Sequence, residues 1–340
     1  MNGTDASQPV AKPESATRPK PVGLFQHPDC SRHDTGWGHP EHQGRLRAVM
    51  GALERALPEL HGDVTPIVPE PAEAATLELA HSPGHVERTR ASCERSIETG
   101  RILRLDPDTP VSPRSWDAAL AAVGCGVAAV DAVLDGEFRA AFCAVRPPGH
   151  HATRDRAMGF CLFNNIAVAA RHALTRPGIE RVLIVDWDVH HGNGTQDIFY
   201  DDPSVFFLSM HQHPFYPGTG MAHERGRGEG EGATLNLPMS AGLAPERYVE
   251  TLLDGLDRTL ARFAPDLTLI SAGFDAGAED PLGGFTLTEA DFTTLAHEVL
   301  GRTRGTARNR VVSFLEGGYN PDELGRNVVS HLTALRDATA

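Results

Sequence analysis

The chain has 340 residues, 40% of them hydrophobic, which is enough to bury the core of one large α/β domain or of two modest ones. Acidic residues outnumber basic ones by 45 to 31, and the formal net charge of −14 leaves no basic footprint for the phosphates of nucleic acid. The five cysteines include no C-x-x-C pair, which favours neither a disulfide framework nor a cysteine zinc site and indicates a reducing compartment.

The amino-terminal segment is polar, rich in Pro, Ser, Thr and Ala, and lacks the apolar core of a signal peptide. This composition predicts a disordered tail over residues 1–20, followed by one domain over residues 21–340. No stretch approaches about 18 consecutive apolar residues, the length that a transmembrane helix requires. We therefore expect a cytoplasmic protein that binds no membrane and does not bind nucleic acid directly.

Apolar and amphipathic runs alternate along the rest of the chain. In chain order they predict a helix over 43–57, a proline-containing loop over 104–114, a helix over 115–134, a strand over 140–145, a helix over 164–174, strands over 182–185 and 205–210, a loop over 223–232, a helix over 245–262, a strand over 267–271, a helix over 288–301 and a strand over 311–315. Ser115 is a candidate N-cap, and Gly136 lies just past the end of its helix. This alternation predicts one doubly wound α/β domain with a parallel sheet.

Glycines and titratable or phenolic side chains follow four of the predicted strands. The four segments are RPPGHH with His150 and His151, DWDVHHGN with Asp186, Asp188, His190 and His191, AGFDAGAEDP with Asp275, and EGGY with Tyr319. In open parallel sheets, ligands bind beyond the carboxyl ends of the strands. The repetition therefore predicts one shared site at that edge of the sheet.

Asp188, His190 and Asp275 are candidate ligands of a metal ion. Residues two apart in an extended segment point the same way, so Asp188 and His190 can reach one ion. A third ligand from Asp275 leaves a position open for water or substrate, as in catalytic zinc sites. The oxygen-rich set also suits iron(II) or manganese(II). Most Asp-x-His tripeptides bind no metal, so this prediction depends on the other strand ends.

The tandem His150–His151 suits general acid and base chemistry on an amide. Asp186 is placed to orient one of the two rings by accepting its N–H. The hydroxyl of Tyr319 would stabilise an oxyanion opposite the metal. A solvated histidine pair and a tyrosine that simply packs in a turn are the structural alternatives.

Taken together, the motifs resemble those of the histone deacetylase superfamily, in particular its class II-like and bacterial branches. The resemblance covers the chain from about residue 21 to the carboxyl end and follows the family's motif order. The matching segments are HPEHQGR (39–45), HSPGHVE (81–87), RPPGHHA (146–152), MGFCLFNN (158–165), VDWDVHHGNGTQDIFY (185–200), HQHPFYPGTG (211–220), SAGFDAGAEDPLGG (271–284) and EGGYN (316–320).

The resemblance implies a single domain of arginase-like fold, in which helices flank a central parallel sheet of eight strands. It also implies a role for each matching residue. Asp188, His190 and Asp275 would be zinc ligands, His151 the general base and acid, His150 its partner paired with Asp186, Asn193 the residue that faces His151, and Tyr319 the transition-state tyrosine. Asparagine at the position of Asn193 is usual in the class II branch and would leave His151 less basic.

The resemblance further implies a tunnel for the acylated lysine and two potassium sites. Gly159 and Phe160 would line the tunnel opposite Tyr216, where many relatives carry Phe. Asp108 would bind substrate amides at the rim, although a solvated aspartate is an equal alternative. The first potassium site would use Asp186, Asp188, His190, Ser209 and Met210, and the second Phe199, Asp202 and Val205.

The leading functional hypothesis is zinc-dependent hydrolysis of N-acetyl-lysine, or of a similar acylated amine, to the free amine and acetate. Leu282 occupies the position where acetylpolyamine-specific relatives carry a glutamate, which favours lysine substrates over the alternative of acetylpolyamines. A non-catalytic acyl-group binding protein is less favoured, because no expected catalytic residue is missing. A binuclear manganese hydrolase of the arginase type is also less favoured, because it needs more carboxylate ligands and because the tandem His150–His151 with EGGY fits the deacetylases better. The sequence leaves open the physiological substrate, the native metal and oligomerisation.

Overall fold

The computed structural model describes residues 20–338. The predicted tail lies outside this range except for Lys20. Ten strands and nine α-helices make up the regular structure of the described residues. The strands are β1 (Val22–Phe25), β2 (Val64–Ile67), β3 (Leu103–Asp106), β4 (Thr109–Val111), β5 (Ala140–Cys143), β6 (Val182–Asp186), β7 (Val205–Gln212), β8 (Thr234–Met239), β9 (Leu267–Ala272) and β10 (Val311–Leu315). The helices are α1 (Gly44–Leu60), α2 (Ala74–Leu77), α3 (Pro83–Thr99), α4 (Ser115–Leu134), α5 (Asn165–Ala173), α6 (Asn193–Phe199), α7 (Pro245–Leu260), α8 (Glu289–Ala307) and α9 (Pro321–Ala338).

Eight of the strands form one parallel sheet in the order β2-β1-β5-β10-β9-β6-β7-β8. Its inner strands are buried along their whole length, because helices cover both faces. On one face α1, α9, α8 and α7 pack in succession, and on the other α3, α4, α5 and α6 do so. The prediction of a single α/β domain with an eight-stranded parallel sheet is confirmed.

Helix α4 shows where the sequence patterns were accurate and where they were one residue off. It ends at Leu134, and Gly136 follows with φ of 72°, the left-handed conformation that glycine adopts without steric cost. Ser115 is the first helical residue rather than the N-cap, which is Arg114. The Ser115 hydroxyl instead lies 2.7 Å from both the Ser112 amide nitrogen and His33 Nδ1, so it joins a buried contact between segments.

By length and composition, α4 is the one helix among residues 20–338 that passes the criteria for a membrane span. Of its most apolar window, 67% is buried inside the domain. The core helix of a globular domain meets the same criteria, so the finding is weak evidence for a membrane span.

The segment 104–114 is not the loop that its prolines predict. Strands β3 and β4 pair antiparallel within it and form a hairpin with an irregular register near Arg104 and Asp106. The two-stranded ladder accepts Pro110 because the hairpin is isolated and has free edges. This hairpin places Asp108 at its turn.

Candidate active site

The four strands that carry the unusual residues are neighbours in the centre of the sheet, in the order β5-β10-β9-β6. Because all four are parallel, the segments that follow them meet at one edge. The structure therefore brings His150, His151, Asp188, Asp275 and Tyr319 into a single buried region.

Asp188, His190 and Asp275 form the candidate metal centre. Their potential ligand atoms all lie within 4.8 Å of one another. His190 Nδ1 is 3.1 Å from both Asp188 Oδ1 and Asp275 Oδ2. Within residues 20–338, neither carboxylate forms an ion pair with a lysine or arginine. Burial and the neighbouring Asp188 carboxylate raise the pKa of Asp275, as expected where a compensating cation is required. One imidazole and two carboxylates, all buried, fit a divalent ion.

Backbone amides and two glycines hold these carboxylates in place. Val189 N–H donates to Asp275 Oδ1 and Gly317 N–H to Asp188 Oδ2, each at 2.8 Å. A Cβ atom on Gly317 would lie 2.0 Å from Asp275 Oδ2, and one on Gly273 would lie 2.1 Å from Asp188 Oδ2. Only glycine fits at both positions, which explains why glycines accompany the acids in the sequence.

The tandem histidines have different partners and therefore different protonation tendencies. His150 Nδ1 lies 2.9 Å from Asp186 Oδ2, whereas His151 Nδ1 lies 2.8 Å from Asn193 Oδ1. Burial lowers the pKa of His150, but the carboxylates of Asp186, Asp188 and Glu316 outweigh it, and the net shift is upward. Burial, reinforced by the positive charge of His150, lowers the pKa of His151. The pair therefore combines a ring that favours the cation with a neutral one.

Asn193 also selects the tautomer of His151. The Asn193 amide nitrogen lies 3.4 Å from both the His151 carbonyl oxygen and Met158 Sδ, so its oxygen faces the His151 ring. An amide oxygen only accepts, so His151 Nδ1 carries the hydrogen and Nε2 keeps its lone pair. This arrangement makes Nε2 available as a base.

Tyr319 and three aromatic side chains surround a cavity of about 240 Å³ above the candidate metal centre. Phe160 packs edge-on against Tyr319 at 5.8 Å, and Tyr216 packs edge-on against His151 at 5.2 Å between ring centroids. Phe215 stacks on His190 at 5.3 Å and was not among the predicted residues. The cavity is lined by Asp108, His151, Gly159, Phe160, His190, Phe215, Tyr216, Leu282 and Tyr319.

Known proteins resemble this chain in sequence and in fold. A family model described as "Histone deacetylase domain" matches residues 39–335. The chain belongs to the histone deacetylase family. A probable deacetylase of Methanothermobacter thermautotrophicus is 41% identical, over 90% of this chain and 88% of its own length. Histone deacetylase 10, chloroplastic, of Oryza sativa subsp. japonica is 40% identical, over 87% of this chain and 69% of its own. The crystal structure of the HDA15 HD domain superposes with a TM-score of 0.86 at 34% identity, covering 93% of this chain and 88% of that one.

In this histone deacetylase-family hydrolase, Asp108 and Leu282 both line the cavity. Asp108 Oδ1 accepts hydrogen bonds from Gly159 N at 3.2 Å and from the Thr109 hydroxyl at 2.8 Å. The carboxylate is therefore anchored to the neighbouring loop rather than freely solvated.

The predicted potassium ligands fall into two groups. Asp186 pairs with Ser209 across β6 and β7, next to Met210 and close to Asp188 and His190. In the second group, Asp202 N–H donates to the Phe199 carbonyl at 3.1 Å, and Val205 begins β7.

The side chain of Asp202 is already engaged. Its carboxylate forms an ion pair with Arg171 and accepts from the Ser204 hydroxyl at 2.6 Å. For the predicted second potassium site, the carbonyl oxygens are therefore the main candidate ligands.

Glu316 is a buried residue of the site that the sequence analysis did not single out. Its Oε2 accepts from the amides of Gly149 at 2.7 Å and His150 at 3.2 Å, and its Oε1 accepts from the Ser271 hydroxyl. Burial raises its pKa to about 7. A glutamate directly before Gly-Gly-Tyr at a strand end was the available signal.

Asp280 is a second such residue. Its Oδ2 accepts from the Tyr319 amide at 2.5 Å, and its Oδ1 accepts from the Leu282 amide at 2.9 Å. One carboxylate thus ties the segment after β10 to the segment after β9.

Proposed function

We propose that this protein is a zinc-dependent deacetylase that hydrolyses N-acetyl-lysine in proteins or peptides to free lysine side chains and acetate. The observation that carries the proposal is the shared cavity. A single aromatic tunnel leads to the candidate metal ligand His190, to the neutral imidazole of His151 and to Tyr319. Metal-assisted amide hydrolysis needs these three functions together.

The tunnel suits a straight aliphatic chain that ends in an amide. The rings of Phe160 and Tyr216 present apolar walls, and Leu282 adds an apolar contact at the mouth. Burying the methylenes of a lysine side chain against these walls contributes about 0.8 kcal/mol per CH₂. Leu282 supplies no carboxylate for the second ammonium of an acetylated polyamine, and the carboxylate of Asp108 in the same lining already accepts hydrogen bonds from Gly159 and Thr109. This supports lysine as the substrate.

Asp188, His190 and Asp275 would hold the zinc ion, and iron(II) is compatible with the same donors. The bound ion would polarise the amide carbonyl and lower the pKa of a water molecule. A potassium ion would be held, largely through carbonyl oxygens, by Asp186, Asp188, His190, Ser209 and Met210, and it would offset part of the buried negative charge.

The protein's own groups manage the protons. His151 Nε2, free because Nδ1 is bonded to Asn193, would accept a proton from the attacking water and deliver it to the leaving amine. His150, held towards its cationic form by Asp186, would keep a positive charge beside the developing negative charge. The hydroxyl of Tyr319 would donate a hydrogen bond to the oxyanion.

Removing the Tyr319 hydroxyl tests the proposal directly. Tyr319→Phe should lower kcat on an acetyl-lysine peptide by about 10²–10³-fold, because one oxyanion donor is lost. Its zinc content, measured by elemental analysis, should equal that of the unaltered protein. A chelator should abolish activity, and zinc should restore it. Undiminished turnover by Tyr319→Phe, or faster turnover of acetylputrescine than of the peptide, would contradict the proposal.

A further inference from the structure

A groove rich in arginine lies beside the catalytic cavity. Helix α3, strand β3 and the loop 153–157 enclose a volume of about 380 Å³. We call this the arginine groove; the arginines that line it are Arg88, Arg95, Arg104 and Arg156. All four side chains belong to exposed residues, in a chain whose formal net charge is −14. The groove is thus a local reversal of the protein's overall charge.

One carboxylate, that of Asp155, also lines the groove, but among the described residues it forms no ion pair with Arg88, Arg95 or Arg104. Arg88 donates to the carbonyl oxygen of Asp155 at 2.8 Å, and Arg104 donates to the carbonyl oxygen of Pro107, both of which are neutral acceptors. Within residues 20–338 the Arg95 guanidinium has no hydrogen bond or ion pair. Arg156, in contrast, forms an ion pair with Asp106.

The lining of the groove also includes one buried hydroxyl group. Thr89 lines the groove and is 1% exposed, yet its hydroxyl has no hydrogen-bond partner in the described part of the chain. A buried hydroxyl without a partner is unfavourable unless a ligand or water completes it. The hydroxyl is itself buried, so the donors that a ligand in the groove can reach are the three guanidiniums without an ion-pair partner, and these suit a carboxylate-bearing ligand.

The arginine groove adjoins the catalytic cavity along two segments. On the hairpin, Asp106 pairs with Arg156 of the groove, and Asp108, two residues on, lines the cavity. On the following loop, Ala157 lines the groove and Gly159 lines the cavity. Two residues of extended chain span about 7 Å. A peptide whose acylated lysine occupies the tunnel would therefore reach the groove within a few residues.

We propose that the arginine groove binds an acidic segment of the substrate protein, with Asp or Glu side chains two to four residues from the acylated lysine. This inference rests on the proposed deacetylase function and defines its substrate class. The acidic remainder of the surface would repel such a segment, so the groove would also set the direction in which the peptide lies.

Matched peptides test the inference. Acetyl-lysine peptides carry three glutamates on the amino-terminal side, three on the carboxyl-terminal side, or glutamines at both places. At low salt, kcat/KM for one of the two acidic peptides should exceed that for the glutamine peptide by about tenfold, since three exposed ion pairs each contribute a factor of about two. High salt should remove the preference.

The variant R88Q/R95Q/R104Q should reduce this preference to less than about twofold. The matched control is Arg90→Gln, because Arg90 lies on the same helix and is exposed but pairs with Glu87 and Glu94 outside the groove. Arg90→Gln should keep the preference. Equal use of acidic and neutral peptides by the unaltered protein, or an equal loss in Arg90→Gln, would overturn the inference.

Direct binding separates this inference from the proposed function. A fluorescent glutamate-rich peptide without acetyl-lysine should have a higher affinity for the unaltered protein than for the R88Q/R95Q/R104Q variant. This difference is expected whether or not any peptide is hydrolysed. Absence of that difference overturns the groove assignment even if deacetylation is confirmed. Tighter binding of a single-stranded oligonucleotide than of the acidic peptide would assign the groove to nucleic acid and also overturn it.

Discussion

Two buried clusters of charge lie close to Tyr319, and their charges are balanced differently. In the first, Glu41 is fully buried between the guanidiniums of Arg45 and Arg146, which are themselves fully buried. Arg146 also donates to the carbonyl oxygens of Cys30 and His33. Every charge in this structural cluster has a protein partner.

The second cluster is the candidate metal centre. Asp186, Asp188 and Asp275 are as deeply buried as Glu41, but in the described residues only histidines lie within ion-pair distance of them. Burying an unpaired carboxylate is costly. In the structural cluster arginines pair with the carboxylate, whereas the candidate metal centre has three carboxylates and, among the described residues, no arginine or lysine within ion-pair distance, which suits a bound cation.

Arg45 connects the two clusters. Its guanidinium donates to the carbonyl oxygens of Gly318 at 2.6 Å and Glu316 at 2.5 Å, and lies 4.9 Å from the centroid of the Tyr319 ring. The structural cluster therefore holds in place the turn that carries Tyr319, the proposed oxyanion donor.

The largest expected effect is a loss of activity when the candidate metal centre is altered. Asp275→Asn removes a proposed metal ligand and should lower activity by more than about 100-fold, the upper cost of losing even an outer partner of a metal ligand. Elemental analysis should show a matching loss of zinc. Asp254→Asn, an exposed aspartate on α7, is the control and should retain both. A metal-free, fully active Asp275→Asn protein would refute the distinction between the clusters.

Removing the carboxylate of the structural cluster should lower the stability of the protein instead. Glu41→Gln leaves two buried guanidiniums short of a counter-charge and should lower the free energy of unfolding by about 3–5 kcal/mol. Denaturant titration measures this change. Glu94→Gln, which removes an exposed partner of Arg90, should cost less than about 1 kcal/mol. Equal costs for the two variants would mean that the buried cluster is not a stabilising unit.

Zinc should stabilise the protein only by binding at the candidate metal centre. With free zinc at about 100 times its dissociation constant, binding contributes about 2.7 kcal/mol to the folded state. Thermal unfolding of the unaltered protein and of Glu41→Gln should shift upward by similar amounts on adding zinc, whereas Asp275→Asn should shift little. A full zinc shift in Asp275→Asn would place the ion elsewhere.

The smallest expected effect is a change in the free energy of unfolding at acidic pH. Burial alone would raise the pKa of Glu41, but the charge and hydrogen bonds of Arg146 outweigh it and lower the pKa from 4.5 to about 2. The stabilisation from ionised Glu41 is then complete above about pH 4.5 and is lost as the pH falls towards 2. The difference in unfolding free energy between the unaltered protein and Glu41→Gln should shrink over that window. A difference that stays constant between pH 5 and pH 3 would show that the carboxylate does not carry the effect.

The apolar runs predict five of the eight strands of the sheet, β5, β6, β7, β9 and β10. The apolar runs do not predict strands β2 and β8, because each contains a proline, which is unusual inside a sheet. These prolines are Pro66 and Pro238. Both are edge strands, where a missing amide donor is tolerated. Their position at the edge, which the sequence pattern does not reveal, is what permits them.

The candidate site was predictable where one short segment carries a distinctive pattern. Asp188 and His190 are two residues apart, and His150 and His151 are adjacent, so local spacing indicated a shared role. Glu316 and Arg45 act through partners far along the chain: Glu316 bonds Gly149, and Arg45 bonds Gly318. Contacts over such separations depend on how the strands are ordered in the sheet.

The sequence by itself determined the family, the parallel α/β class and the identities of the candidate metal and acid–base residues, because these depend on local spacing and apolar periodicity. Only the tertiary structure decided which charges are balanced. It placed two arginines beside Glu41, only histidines beside Asp188 and Asp275, and exposed arginines in a groove next to the tunnel. The physical reason is that the free energy of a charge depends on its burial and its neighbours in space, which the order of residues along the chain does not specify.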